Sequence, residues 1–244
     1  MYAYFLFLAL FEVIIVNIVL DNRGIELNNM EKLAVFLVIS IMIQYCIVVC
    51  MDFYYLLRII FSIPILFIVS YTDTKFRLVF DEDLICGIIV QVGIVLTFII
   101  IDIVYIKKYS PIGLNCTFTE KIASLYGKIE KGIFNKGELG IYFNHLSYLF
   151  EDIKRNIYGS IALFLVSYVI AKSTEAMGMG DVLYFSFIAS FTDVSISFFI
   201  FFASFIFSGL YCIFLRIFDK KSFFNGLISF TPFISVGFLI SLCL

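Results

Sequence analysis

The fold class this chain predicts is all-α: a membrane helix bundle of about eight transmembrane segments. Three observations carry that prediction. Apolar residues make up 62% of the 244 residues and charged ones 15%, whereas a soluble domain is nearer half apolar and a quarter charged. The apolar residues also come in runs, most of them near the roughly 20 residues that a membrane span needs. Finally, no internal repeat and no low-complexity linker divides the runs, so residues 1–244 read as one integral membrane domain. The net charge of −2 points to no nucleic-acid partner. The partner that composition implies is the lipid bilayer.

The first run, 3–20, lacks a basic leading region and a small-residue cleavage site, so it reads as a retained helix. Runs at 33–51 and 54–72 follow, and Asp73 closes the third. Asp81, Glu82 and Asp83 stand just before the fourth run, 84–106, and fit the acid-rich start of a helix. Next comes the one large polar segment, 107–156, an insertion with more basic than acidic residues. Within it Ile122, Leu125, Ile129 and Ile133 fall at helical spacing, as do Leu146, Leu149, Phe150 and Ile153. Two arrangements fit: amphipathic helices lying on the membrane or covering the bundle, or an extramembrane loop with two short packed helices. The fifth run is 157–172. The sixth, 182–193, is short for a full span, which predicts burial between neighbours or a tilt with the next run, with Asp193 at the turn. Runs at 195–217 and 226–244 complete the set. Basic residues fall almost equally on the two sides of this arrangement, so charge alone leaves the topology open.

The six cysteines are Cys46, Cys50, Cys86, Cys116, Cys212 and Cys243, and no C-x-x-C pair occurs. Cys46 and Cys50 share one helix face, but no second ligand pair is present to complete a tetrahedral zinc site. They read as small apolar packing residues. No metal and no organic cofactor is implied.

Two aspartates stand apart. Asp73 and Asp181 are separated by two crossings, 84–106 and 157–172, which puts both at the same membrane face. Asp181 follows Gly178-Met179-Gly180, and by itself it fits a helix N-cap. The two glycines add to that reading, because they leave a strip of bare backbone that another helix or an extended peptide can approach. Asp73 is harder to explain as a cap. It ends an apolar helix, where the dipole disfavours a negative charge, unless Lys75 or Arg77 pairs with it in a structural salt bridge.

Elimination narrows the chemistry. A zinc protease needs a pair of histidine ligands, and a serine protease needs a base beside its nucleophile. The single histidine, His145, falls in the polar segment and reads as a loop residue without catalytic duty. Paired carboxylates are the hydrolytic device that remains. Two of them in contact share one proton; the ionised partner activates water and the protonated one donates to the carbonyl oxygen. The same pair would equally serve a transporter that binds a cation or relays a proton, since intramembrane acids mark such paths too. A third reading is a non-catalytic assembly protein that has kept a peptidase fold.

The chain resembles the type IV prepilin peptidases, a bacterial branch of the G-x-G-D aspartic proteases. Their second motif, G-x-G-D-x-K, is matched by Gly178-Met179-Gly180-Asp181-Val182, with Leu183 at the lysine position. Their first is an aspartate followed, eight residues on, by the last residue of an I/L-P-D or I/L-P-N triplet. Asp73 has Val79-Phe80-Asp81 at that spacing, with Phe80 in place of the proline. A P-F-G-P-F-like stretch that opens the last helix is echoed by Ser229-Phe230-Thr231-Pro232-Phe233. The likeness covers about 60–105 and 157–244. It implies an aspartic endopeptidase of the cytoplasmic membrane whose site faces the cytoplasm and whose partners are pilin-like precursors. By the same resemblance Asp73 and Asp181 are the catalytic pair, with Gly178 and Gly180 shaping the site. Many members also carry a methyltransferase domain between the first two helices. Here that interval is only about 21–32 and has no cysteine, so cleavage without a recognisable methyltransferase domain is expected.

Overall fold

A computed structural model describes residues 2–50, 52–109, 138–174, 177–218 and 228–243. Among these residues there are nine α-helices and no strand. They are α1 Tyr2–Asn22, α2 Asn29–Val49, α3 Phe53–Ile60, α4 Ile63–Phe76, α5 Asp81–Tyr109, α6 Glu138–Thr174, α7 Met179–Ala189, α8 Val194–Phe218 and α9 Thr231–Ser241. The fold is an all-α bundle. Among the described residues five stretches are long and apolar enough to cross a membrane: Asn29–Val49, Phe53–Phe76, Asp81–Val104, His145–Thr174 and Val194–Phe218. Large apolar side chains such as Leu37, Ile41, Ile89, Leu165, Ile206 and Ile213 stand exposed on them, as the outer faces of a bundle solvated by lipid tails require.

The chain divides into two compact units. The first comprises Met1–Gln91 and Arg155–Leu244, and the second Val92–Lys154. In the first unit the short helix α7 lies in the core. Val182, Tyr184, Phe185, Phe187, Ile188 and Ala189 are all buried, so it is apolar on every side, which is the signature of an interior helix. Its 11 residues span about 16 Å, half of a hydrocarbon core, and it does not cross alone. This is the burial between neighbours that the short sixth run predicts. Asp193 then makes the turn into α8, its carboxylate accepting the Ile196 N–H at 2.9 Å. On α9, a Cβ at Gly237 would stand 3.1 Å from the Ile200 carbonyl, so the α8–α9 pair packs backbone close to backbone.

One run that reads as a single span is broken. Residues 54–72 fall into α3 and α4, parted at Phe61 and Ser62, with Pro64 in the first turn of α4. Proline has no N–H to give and its ring crowds the carbonyl four residues back, so the helix stops and restarts. The break is lined with polar groups. Arg58, 3% exposed, donates from Nε to Gln91 Oε1 at 3.0 Å and from Nη2 to the Ser190 carbonyl at 2.8 Å. Gln91 in turn donates to the Arg58 carbonyl and to Ser62 Oγ.

The helix starts follow local sequence rules. Asn28 and Glu31 form a reciprocal capping box on α2, at 2.8 Å each way. Asp81, Glu82 and Asp83 occupy the first turn of α5 as expected, and Asp83 has a further role. It pairs with Arg23 through two hydrogen bonds of 2.6 and 2.8 Å, while the Arg23 guanidinium lies 4.2 Å over the Phe80 ring. The end of α1 and the start of α5 are thereby tied together.

In the second unit His145 is not in a loop, as its polar surroundings predict. It sits in α6, a 37-residue helix that runs from the polar segment into the fifth apolar run with no proline to stop it. Its Nδ1 lies 2.7 Å from Asp102 Oδ2 on α5. Leu146 and Leu149 are buried on the same helix, whereas Phe150 is exposed. The other helical pattern, Ile122 to Ile133, lies outside the described residues.

Candidate active site

Three chain segments meet at one end of the first unit. The first is the last turn of α4, which carries Asp73, 8% exposed. The helix closes at Arg77, a left-handed residue with φ 60°, whose N–H donates to the Asp73 carbonyl at 2.9 Å. The second segment is the start of α9. Asp73 Oδ2 accepts from the Ser229 hydroxyl, from the Phe230 and Thr231 N–H groups at 3.2 Å each, and from the Thr231 hydroxyl at 3.0 Å. An acid at the unfavourable end of its own helix thus faces the N-terminus of another, where free N–H groups and the dipole favour an anion. Lys75 plays no part in holding it. It donates to the Tyr71 hydroxyl at 2.8 Å and lies 3.6 Å from Glu31.

The third segment is the start of α7. Gly178 is its N-cap, and Asp181 is its third residue rather than the cap that the sequence alone suggests. Asp181 reaches back to accept the Gly178 N–H at 3.3 Å. Because α7 is too short to cross, Asp181 stands outside the five spanning stretches. Burial first, and then the negative charge of Asp73, push its carboxyl up to about 6, against a lowering by the Gly178 N–H.

A polar trio one turn deeper sets the two carboxylates at the same level. Ser235 on α9 hydrogen-bonds both to Ser70 on α4, at 2.8 Å, and to Tyr184 on α7, at 2.6 Å. Ser70 precedes Asp73 by three residues and Tyr184 follows Asp181 by three, so each acid shares a helix face with a member of the trio. The helices that carry the acids are linked through one serine, one turn below the acids.

The two glycines differ. A Cβ at Gly180 would come 2.8 Å from the Val79 Cβ, so the non-helical segment 78–80 between α4 and α5 lies directly on the bare backbone there. At Gly178 a Cβ would meet only Asp181 Oδ2, at an ordinary 3.7 Å, and its φ of −74° asks for no glycine. The strip of bare backbone predicted from the sequence is therefore filled at Gly180 by the chain itself. Arg23, stacked on Phe80 and paired with Asp83, fixes the far end of that segment.

A groove of about 300 Å³ lies among α5, α6 and α7, lined by Leu84, Ile88, Ser160, Leu183 and Ser186 among others; neither Asp73 nor Asp181 lines it. Among the described residues, no three acid, histidine or cysteine side chains are grouped so as to hold a metal ion.

Sequence reasoning quoted Ser229 and Thr231 without giving them a role, and it passed over Ser70, Tyr184 and Ser235. The available signal was a hydroxyl residue directly before Pro232, a pattern typical of a helix start with donors to offer.

Residues 138–213 match the model of the type IV leader peptidase family. That stretch contains Gly178, Gly180 and Asp181; Asp73 and Ser229–Thr231 lie outside it. No curated protein and no solved structure matches the chain. Over residues 138–213 the chain is thus similar to the type IV leader peptidase family, and this match, with the apolar helices, supports a prepilin peptidase-like membrane protein.

Proposed function

We propose that the protein is an aspartic endopeptidase that removes the leader peptide from type IV prepilin or pseudopilin-like precursors. In this reading Asp73 and Asp181 are the catalytic pair, Gly178 and Gly180 shape the site, and the site opens at the cytoplasmic face of the cytoplasmic membrane. The observation that supports the proposal is the joining of α4 and α7 through Ser235, one turn below Asp73 and Asp181, so that the two acid-bearing helix ends lie together. The family match, which includes Asp181, supplies the reaction class.

The chemistry needs no group beyond these. One carboxylate, ionised, takes a proton from water as the water oxygen attacks the scissile carbonyl; the other, protonated, donates to the carbonyl oxygen. Burial and the charge of Asp73 push the Asp181 carboxyl up to about 6, so the protonated partner is present chiefly below about pH 6. Val79, in the non-helical segment 78–80, packs on Gly180 beside the pair and would line the path of a substrate strand.

Reconstitution of the purified protein in liposomes with a pilin-like precursor from the same genome tests this. The expected product is a precursor shortened at its N-terminus by the leader, read by intact mass. An uncut precursor beside protein shown to be folded would count against the proposal.

A further inference from the structure

The two carboxylates are held in different ways, and the difference assigns their roles. Asp73 Oδ2 meets four donors, two hydroxyls and two backbone N–H groups, all from Ser229, Phe230 and Thr231. A carboxylate oxygen has two lone-pair directions, so four donors leave no room on Oδ2 for a proton or a water. Among the described residues Asp181 has a single donor, the Gly178 N–H at 3.3 Å. Among the described residues, the charged and titratable groups near Asp73 are Asp181 and Tyr184 on α7, with Lys75 and Arg77 following it at the end of its own helix. Tyr184 is engaged with Ser235, and Lys75 with Tyr71 and Glu31.

We propose that Ser229, Phe230 and Thr231 form a clamp that locks Asp73 through Oδ2 as the anionic partner, so that Asp73 Oδ1 is the atom that takes the water's proton and Asp181 is the acid. This rests on the leader-peptidase reading above. In the first step a proton passes from water to Asp73 Oδ1, the water oxygen bonds to the carbonyl carbon, and the Asp181 proton passes to the carbonyl oxygen. In the second step the C–N bond breaks and the Asp73 proton goes to the leaving nitrogen. A proton from the tetrahedral intermediate's hydroxyl returns to Asp181, which restores the starting state. Ser229 and Thr231 touch no reacting atom and are positioning residues. The state in which burial and the charge of Asp73 leave Asp181, its carboxyl raised to about 6, fits the acid role.

The test compares steady-state cleavage of a pilin-like precursor by wild type, Ser229→Ala, Thr231→Val, the double variant and Thr231→Ser, together with Asp73→Asn and Asp181→Asn, across pH. Each lost hydroxyl is expected to lower kcat roughly fivefold to tenfold with KM unchanged. Thr231→Ser keeps the donor and should retain the wild-type kcat. Unchanged kcat in the double variant would overturn the clamp. So would a loss of activity that only follows a lowered melting temperature, or one that Thr231→Ser shares in full. If wild type cleaves, the two Asp→Asn variants do not, and the hydroxyl variants are indifferent, then the clamp fails while the peptidase reading stands. If wild type does not cleave, both fail.

Discussion

Asp181 pays for its position in the folded chain. Burial and the nearby charge of Asp73 raise its carboxyl from 3.8 to about 6, so the folded state binds the proton more tightly than the unfolded one. The sign follows from linkage: stability is greatest below about pH 4 and falls as pH rises through about 6. Asp181→Asn removes the ionisation, and it is expected to unfold later than wild type at pH 8, by on the order of 1–2 kcal/mol, and to match it near pH 4. Thermal unfolding in detergent at the two pH values measures this; equal stability at pH 8 would show that the acid is not strained there. The glycines give a second contrast at this scale. Gly180→Ala drives a methyl into Val79 and is expected to cost roughly 1–3 kcal/mol and most of the cleavage activity. Gly178→Ala meets only ordinary contacts and should stay within about 1 kcal/mol of wild type. The motif made both glycines visible in the sequence, but their difference was not, because it depends on a segment a hundred residues earlier in the chain.

At the scale of elements, the helices that position the site are those whose ends matter more than their lengths. α4 must stop in time to present Asp73, α7 must begin at Gly178, and α9 must begin where its N–H groups point at Asp73. The apolar runs placed the end of α4 and both ends of α7 to within about four residues and α9 to within about five, because apolar segments are written in composition. The break between α3 and α4 was missed, since a run of apolar residues hides a restart that only Pro64 betrays. Gln91 and Arg58 hold that break together. Gln91→Ala leaves a buried guanidinium without one of its acceptors and is expected to destabilise by roughly 2–3 kcal/mol, read from denaturant or thermal unfolding in detergent. A change under about 0.5 kcal/mol would mean that the pairing contributes nothing net. His145 shows the opposite limit. Polar neighbours made it look like a loop residue, whereas its helix is continuous and its partner, Asp102, lies inside an apolar run.

For the molecule as a whole, the all-α membrane architecture was legible from composition and run length. The meeting of three segments around Asp73 was only half legible. Two acids at one membrane face follow from counting crossings. The role of residues 229–231 does not, because it needs the angle at which α9 enters the bundle. The pairing of Arg23 with Asp83 ties the end of α1 to the start of α5, so the α1–α2 and α4–α5 connections lie at one end of the first unit, beside the acids. With that end in the cytoplasm, cysteines introduced at Glu26 and Leu78 should both react with a membrane-impermeant maleimide from the cytoplasmic side, above the background of the native cysteines. Labelling of either from the opposite side would reverse the orientation.

The central claim is that Asp73 and Asp181 act together on a peptide bond. The most direct measurement is the cleavage rate of a pilin-like precursor by wild type, Asp73→Asn and Asp181→Asn, all shown to be folded. The account predicts cleavage by wild type that declines as pH rises past about 6, with a loss of at least about a thousandfold in each variant. Undiminished cleavage by either variant would contradict it.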